Sequence, residues 1–126
     1  MIRVALAVAL GGAAGSVLRF LTASWVAAHW PRHFYLGTFT VNVIGCLLIG
    51  LLSGLLLLRS DLPLELRSGL IIGVLGGFTT FSSFSLEVLK LFEGGRHNEA
   101  FAYLLCSVLG GVAAVWAGFG LARLYQ

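Results

Sequence analysis

Apolar positions in this chain fall into four long blocks, and the charged and turn-forming residues fill the gaps between them. The blocks cover residues 4–28, 34–58, 68–91 and 100–122. Each holds the ~20 mostly apolar residues that a helix needs to cross the hydrocarbon core of a bilayer. Arg19 alone interrupts the first, the second carries no charge, and the third is charge-free as far as Glu87. Strands of a membrane barrel would be about 10 residues long with apolar and polar positions alternating. These blocks are longer and do not alternate. The pattern predicts an all-α membrane protein with one domain, 1–126, made of four transmembrane helices.

The gaps support this reading. His29-Trp30-Pro31-Arg32-His33 separates the first two blocks, Arg59 to Arg67 the next two, and Glu93 to Glu99 precedes the last. Both prolines lie in these turns. Trp25, Trp30 and Tyr125 fall near block ends, where amphipathic rings favour the headgroup level. The start of the chain, with Arg3 and then an apolar run, has the look of a signal peptide. The run continues to Ala28, too long for the apolar core of such a peptide, so it is read as an uncleaved first span.

Composition narrows the choice of class. Of 126 residues, 59% are hydrophobic and 10% charged, whereas soluble domains carry about 25% charged residues. There is too little polar surface here to cover a soluble fold. The net charge of +3 is scattered, with no basic run, so no nucleic-acid partner is expected and lipid headgroups are the simpler one. Cys46 and Cys106 lie inside apolar runs without metal-ligand spacing and read as packing residues. No carboxylate pair, phosphate loop or nucleophile elbow points to enzymatic chemistry.

Charge also bears on orientation. With the N-terminus on side one, that side holds Arg3, Arg59, Arg67 and Arg123, and side two holds Arg32, Lys90 and Arg96, with Arg19 if it snorkels that way. The positive-inside rule then gives almost no preference. Insertion in both orientations is the expectation.

Within lipid, small and polar side chains become informative. Gly11 and Gly15, Gly50 and Gly54, the run Gly69, Gly73 and Gly77, and the run Gly110, Ala114 and Gly118 all have spacing four. Such rows line one helix face and let backbones approach. The third span differs. From Gly76 it reads Gly-Gly-Phe-Thr-Thr-Phe-Ser-Ser-Phe-Ser, then Leu86 and Glu87. Adjacent glycines followed by clustered hydroxyl residues are poor helix formers, and the hydroxyls compete for backbone bonds. A break within 76–80 is expected, and freed backbone groups there can bind ions.

Phe78, Phe81 and Phe84 recur every three residues. Their ring edges, which are electropositive, can receive an anion; the same spacing also serves ordinary packing. The second span contributes Asn42 with Thr38 one turn before it, and the fourth contributes Tyr103 and Ser107, also four apart. Taken singly these are interhelical glue. Taken together, with Arg19 as an anion-focusing group at an entrance, the donors suit a desolvated anion.

The stretch from Gly76 to Ser85 with Glu87, joined by Arg19 after Gly11, Gly12 and Gly15 and by Val41-Asn42, resembles the signature of the Fluc (CrcB) fluoride channels. The likeness covers the whole chain. It implies an antiparallel, dual-topology homodimer in the bacterial inner membrane, its partner a second, inverted copy. It implies fluoride as the ion passed, by passive efflux that lowers cytoplasmic fluoride. By the same resemblance Phe81 and Phe84 are the pore phenylalanines, Asn42 is a pore donor, and Tyr103, Ser107, Thr80 and Ser83 line the pathway. Main-chain oxygens of Gly76 and Thr79 from both copies would hold a structural sodium ion. Two other classes remain open from the residues alone. A small dual-topology multidrug-type exporter needs a membrane-embedded acid for proton coupling, which the first span lacks. A structural membrane protein without transport would account for the glycines but not for the clustered hydroxyls and Asn42.

Overall fold

The computed structural model describes residues 1–56, 59 and 61–125. The described residues are helical almost throughout, with no strand among them. Helix α1 spans Ile2–His29 and a 3-10 turn at Pro31–His33 leads into α2, Leu36–Leu56. The expected end of the second span at residues 57 and 58 lies outside the described residues. Next come α3, Leu64–Ser68, a π-helical stretch Gly69–Leu75, and α4, Gly76–Phe78. Helix α5 is Ser82–Glu93 and α6 is His97–Arg123. Four stretches, Ile2–His29, Leu36–Leu56, Leu64–Glu93 and His97–Arg123, are long and apolar enough to cross a membrane. The chain is a multi-pass membrane protein.

The third stretch begins earlier than the apolar pattern indicates. Pro63, at φ −57° and ψ 142°, stands immediately before α3, and its missing N–H costs nothing at a helix start. Leu64 to Arg67 are therefore the first turn of a helix and not connection.

Two tightly packed pairs make the bundle: α1 against the third stretch, and α2 against α6. Glycine decides how close each pair comes. A Cβ on Gly11 would collide with the carbonyl oxygen of Gly69, and one on Gly15 with that of Val74. A Cβ on Gly118 would strike the carbonyl of Leu47 in α2. The row predicted on the fourth span is displaced by one residue at its start. Gly111 is buried, with Cys46 Sγ 3.4 Å from where its Cβ would be, whereas at Gly110 the nearest atom is Val43 Cγ2 at 3.9 Å. Outward positions are large and apolar, among them Leu6, Phe20, Leu109 and Trp116, as lipid or a second protein surface requires.

Candidate functional site

The third stretch loses helical geometry directly after α4. Thr79 is extended, at φ −89° and ψ 159°, and the helix resumes at Ser82. The backbone groups stranded there need partners, because lipid supplies none. Their partners define the site.

Asn42 of α2 faces the gap with both ends of its amide. Its Nδ2 donates to Thr80 O at 2.9 Å, and Thr80 N–H donates to its Oδ1 at 2.8 Å. The amide thus imitates a neighbouring strand. Thr80 also serves the next helix, its Oγ1 accepting the N–H of Ser83 at 3.2 Å, in the manner of a cap. Thr79 closes the helix before the gap, with both its N–H and its Oγ1 donating to Leu75 O. On the other side of the stretch, Arg19 Nε donates to Gly77 O at 3.0 Å. The guanidinium therefore lies across the C-terminal end of α4, where a cation meets the negative end of the peptide dipoles. Of the two expectations for Arg19, an anion-focusing group or a side chain snorkelling to the interface, the inward bond to Gly77 O does not fit snorkelling.

The gap leaves the carbonyls of Gly76, Phe78 and Thr79 short of their helical donors. The N–H that would close the turn on Gly76 O belongs to Thr80 and goes to Asn42. The N–H that would close the turn on Thr79 O belongs to Ser83 and goes to the Thr80 hydroxyl.

Beside the gap runs an open groove of about 430 Å³. Asn42, Gly76, Thr79, Thr80, Phe81, Phe84 and Ser107 all line it, with Gly45 and Cys46 on the wall between them. Phe84 is buried at 7% exposure and Phe81 stands out at 78%, with ring centroids 5.7 Å apart. Ser107 Oγ is buried and has no hydrogen-bond partner. An unsatisfied buried hydroxyl in lipid-embedded protein calls for a polar guest.

Of the residues that the resemblance places along the pathway, with Arg19 at its entrance, three are not on this wall. Ser83 lies behind Thr80, Arg19 is on the far side of the third stretch, and Tyr103 sits deeper. The Tyr103 ring meets Phe84 edge to face at 5.1 Å. Its hydroxyl donates to Glu87 Oε2 at 2.7 Å, and Thr38 donates to Glu87 Oε1 at 2.8 Å. Polar groups thus continue from the groove past Phe84 to a carboxylate held by two hydroxyls.

The sequence has relatives among known proteins. Residues 6–119 match the family model described as CrcB-like protein, Camphor Resistance (CrcB). The chain belongs to the CrcB family. A relative from Azotobacter vinelandii is 60% identical over 124 residues, covering 98% of this chain and 100% of its own length. One from Pseudomonas putida is 58% identical over 123 residues, covering 98% of this chain and 99% of its own length. One from Stutzerimonas stutzeri is 60% identical over 124 residues, with 98% and 100% covered. All three carry the name fluoride-specific ion channel FluC.

The partners of Glu87 are not among the expectations from the sequence, although Phe84 and Glu87 fall three residues apart on one face of α5. Spacing pairs Thr38 with Asn42, whereas the Thr38 hydroxyl turns to Glu87. Tyr35 and Glu99, which stand behind Tyr103, were not singled out.

Proposed function

We propose that this chain is a fluoride-selective channel of the bacterial inner membrane, giving passive efflux that lowers cytoplasmic fluoride. The observation that carries the proposal is the groove at Thr79–Phe81. It is lined by Asn42, by Phe81 and Phe84, whose rings have electropositive edges, and by Ser107 with its unpartnered hydroxyl, and no Arg or Lys is among its lining residues. The naming of the relatives as fluoride channels supports it. Fluoride is small and strongly hydrated, so a dry pathway must replace its water with donors. Neutral donors do so without holding the ion too tightly to leave. Tyr103, with Thr80 and Ser83, extends the polar track, and Arg19 raises the local potential for anions from the other side of the third stretch.

The groove is open along one side, and Phe81 projects from it. Such a half-channel is completed by a second copy. The near-even distribution of Arg and Lys favours a copy in the inverted orientation, hence an antiparallel dual-topology homodimer. The third stretch then has the character of a broken helix, crossed with its mate at the dimer centre. A structural sodium ion fits that centre. The carbonyls of Gly76 and Thr79 lack their helical donors, and neutral main-chain oxygens are ligands suited to a hard cation. Two oxygens from one copy are too few, so the other copy would complete the set. There the ion would tie the two gaps together.

Glu87 is the membrane-embedded carboxylate that a proton-coupled exporter would use. Both its oxygens are already taken by hydroxyl bonds from Thr38 and Tyr103, and it is not among the residues lining the groove. Flux from liposomes separates the readings. Purified protein passes fluoride down its own gradient without a proton gradient and excludes chloride. Equal fluoride and chloride fluxes, or flux only with a proton gradient, would overturn the channel assignment.

A further inference from the structure

One polar cluster lies outside the groove, at the end of the bundle where α5 turns into α6. Arg96 donates through Nε to Glu99 Oε1 at 3.0 Å and through Nη2 to Glu99 Oε2. The same Nη2 donates to the carbonyl of Arg32 at 2.8 Å. The turn before α2 is thereby tied to the turn before α6. Tyr35 closes the cluster, its hydroxyl donating to Glu99 Oε2 at 2.8 Å while the Arg96 guanidinium lies 5.9 Å from its ring centroid. Burial, and then the bond to Glu99, hold the Tyr35 phenol above its ordinary pKa, so it remains a donor at neutral pH.

The cluster does not stop there. The Tyr35 ring packs on the Tyr103 ring, centroids 4.9 Å apart, and Tyr103 is the donor to Glu87. Along α6, Glu99, Tyr103 and Ser107 are each four apart and so lie on one face. The row identified at Tyr103 and Ser107 thus begins one turn further out, at Glu99. Its members rise from an ion pair at the bundle end, through a buried phenol, to the buried, unpartnered hydroxyl of Ser107.

We infer that Arg96, Glu99 and Tyr35 are positioning residues: they fix the Tyr103 ring from behind, and through it the Tyr103–Glu87 bond at the outer end of the fluoride pathway. The bidentate pair leaves Glu99 one orientation. Tyr35, bonded at its tip and packed against the Tyr103 ring at an interplanar angle of 39°, transmits that orientation to Tyr103. None of the three touches the groove wall. This inference rests on the channel reading for its effect on flux, but not for its effect on Tyr103.

The test therefore has two arms. The protein contains three tyrosines, so biosynthetic 3-fluorotyrosine gives three 19F resonances, assigned by single Tyr→Phe changes. Glu99→Gln and Tyr35→Phe are expected to shift or broaden the Tyr103 resonance while the Tyr125 resonance stays in place. In liposomes each variant lowers fluoride flux by about fivefold, a typical effect of losing one hydrogen bond in a coupled network. In a Tyr103→Phe background the same changes cause no further loss. Independent structural damage would instead multiply the losses. An unmoved Tyr103 resonance, or losses that multiply, would overturn the inference. Tyr35→Phe keeps the ring and its packing, so it stays informative if Glu99→Gln does not assemble. A wild-type protein that passes no fluoride would sink the channel reading, and the resonance arm would still decide whether Arg96, Glu99 and Tyr35 position the Tyr103 ring.

Discussion

Asn42 and Ser107 face the same groove but have opposite relations to stability. The Asn42 amide satisfies two main-chain groups of Thr80 that the helical gap strands. Asn42→Leu removes both bonds and leaves a half-buried N–H and C=O unpaired, at about 1–3 kcal/mol for each buried group. It is expected to lower the thermal unfolding midpoint in detergent and to abolish fluoride flux. Asn42→Asp keeps the acceptor for the Thr80 N–H and sets a carboxylate oxygen against the Thr80 carbonyl. It should unfold earlier than the parent too, though it is nearly the same size. Ser107 Oγ has no partner to lose. Ser107→Ala is therefore expected to keep or slightly raise the unfolding midpoint while fluoride flux falls by several-fold. A variant that loses both together would mean that Ser107 serves the fold and not the ion. The sequence marked both residues as polar in apolar spans. It could not separate them, because the difference lies in whether the backbone of another element comes within reach.

At the scale of elements, each helix was legible because lipid demands long apolar runs, and the pattern states them directly. Their ends were less so. Leu64 to Arg67 look like connection on charge alone, yet Pro63 starts a helix there. The glycine rows show the same limit. Spacing of four identifies a face that allows close approach, but only the packed structure tells which glycine is used. Gly15 lies against the third stretch, and a Cβ there would strike the Val74 carbonyl. Gly120 has open space around it. Gly15→Ala forces two backbones apart and is expected to cost at least the ~1–3 kcal/mol of an overpacked core, with a lower unfolding midpoint. Gly120→Ala should stabilise by about 0.5–1 kcal/mol from helix propensity alone. Circular dichroism melts of the two proteins in one detergent give the comparison. Equal behaviour would show that the α1 interface is softer than its geometry implies. The break at Thr79 belongs to this scale as well. Gly, Thr and Ser weaken a helix across 76–85, while its position is fixed from outside, by Asn42 on α2 and Arg19 on α1.

For the whole molecule, the open groove and the balanced charge lead to one experiment. A channel built from two inverted copies needs both orientations in the same membrane, and only the loop charges hold that balance. Glu93, the last residue of α5, and Asn98, in the first turn of α6, are exposed and clear of the groove wall. Glu93→Arg with Asn98→Arg adds positive charge to side two alone and should drive the chain into a single orientation. Accessibility of tags on the two termini in intact cells would then change from both sides to one. A population of one orientation cannot form the antiparallel pair, so its fluoride flux is expected to fall close to background although each helix is intact. Asp61 lies in the connection on the other side, and Asp61→Arg biases the chain the opposite way. Expressed together, the two oppositely biased chains should restore flux. Restoration requires that they meet as an inverted pair, because neither supplies the other's orientation alone. Full flux from the first variant by itself, in one orientation, would show that a parallel assembly or a single chain suffices. The groove would then have to be closed by lipid rather than by a second copy.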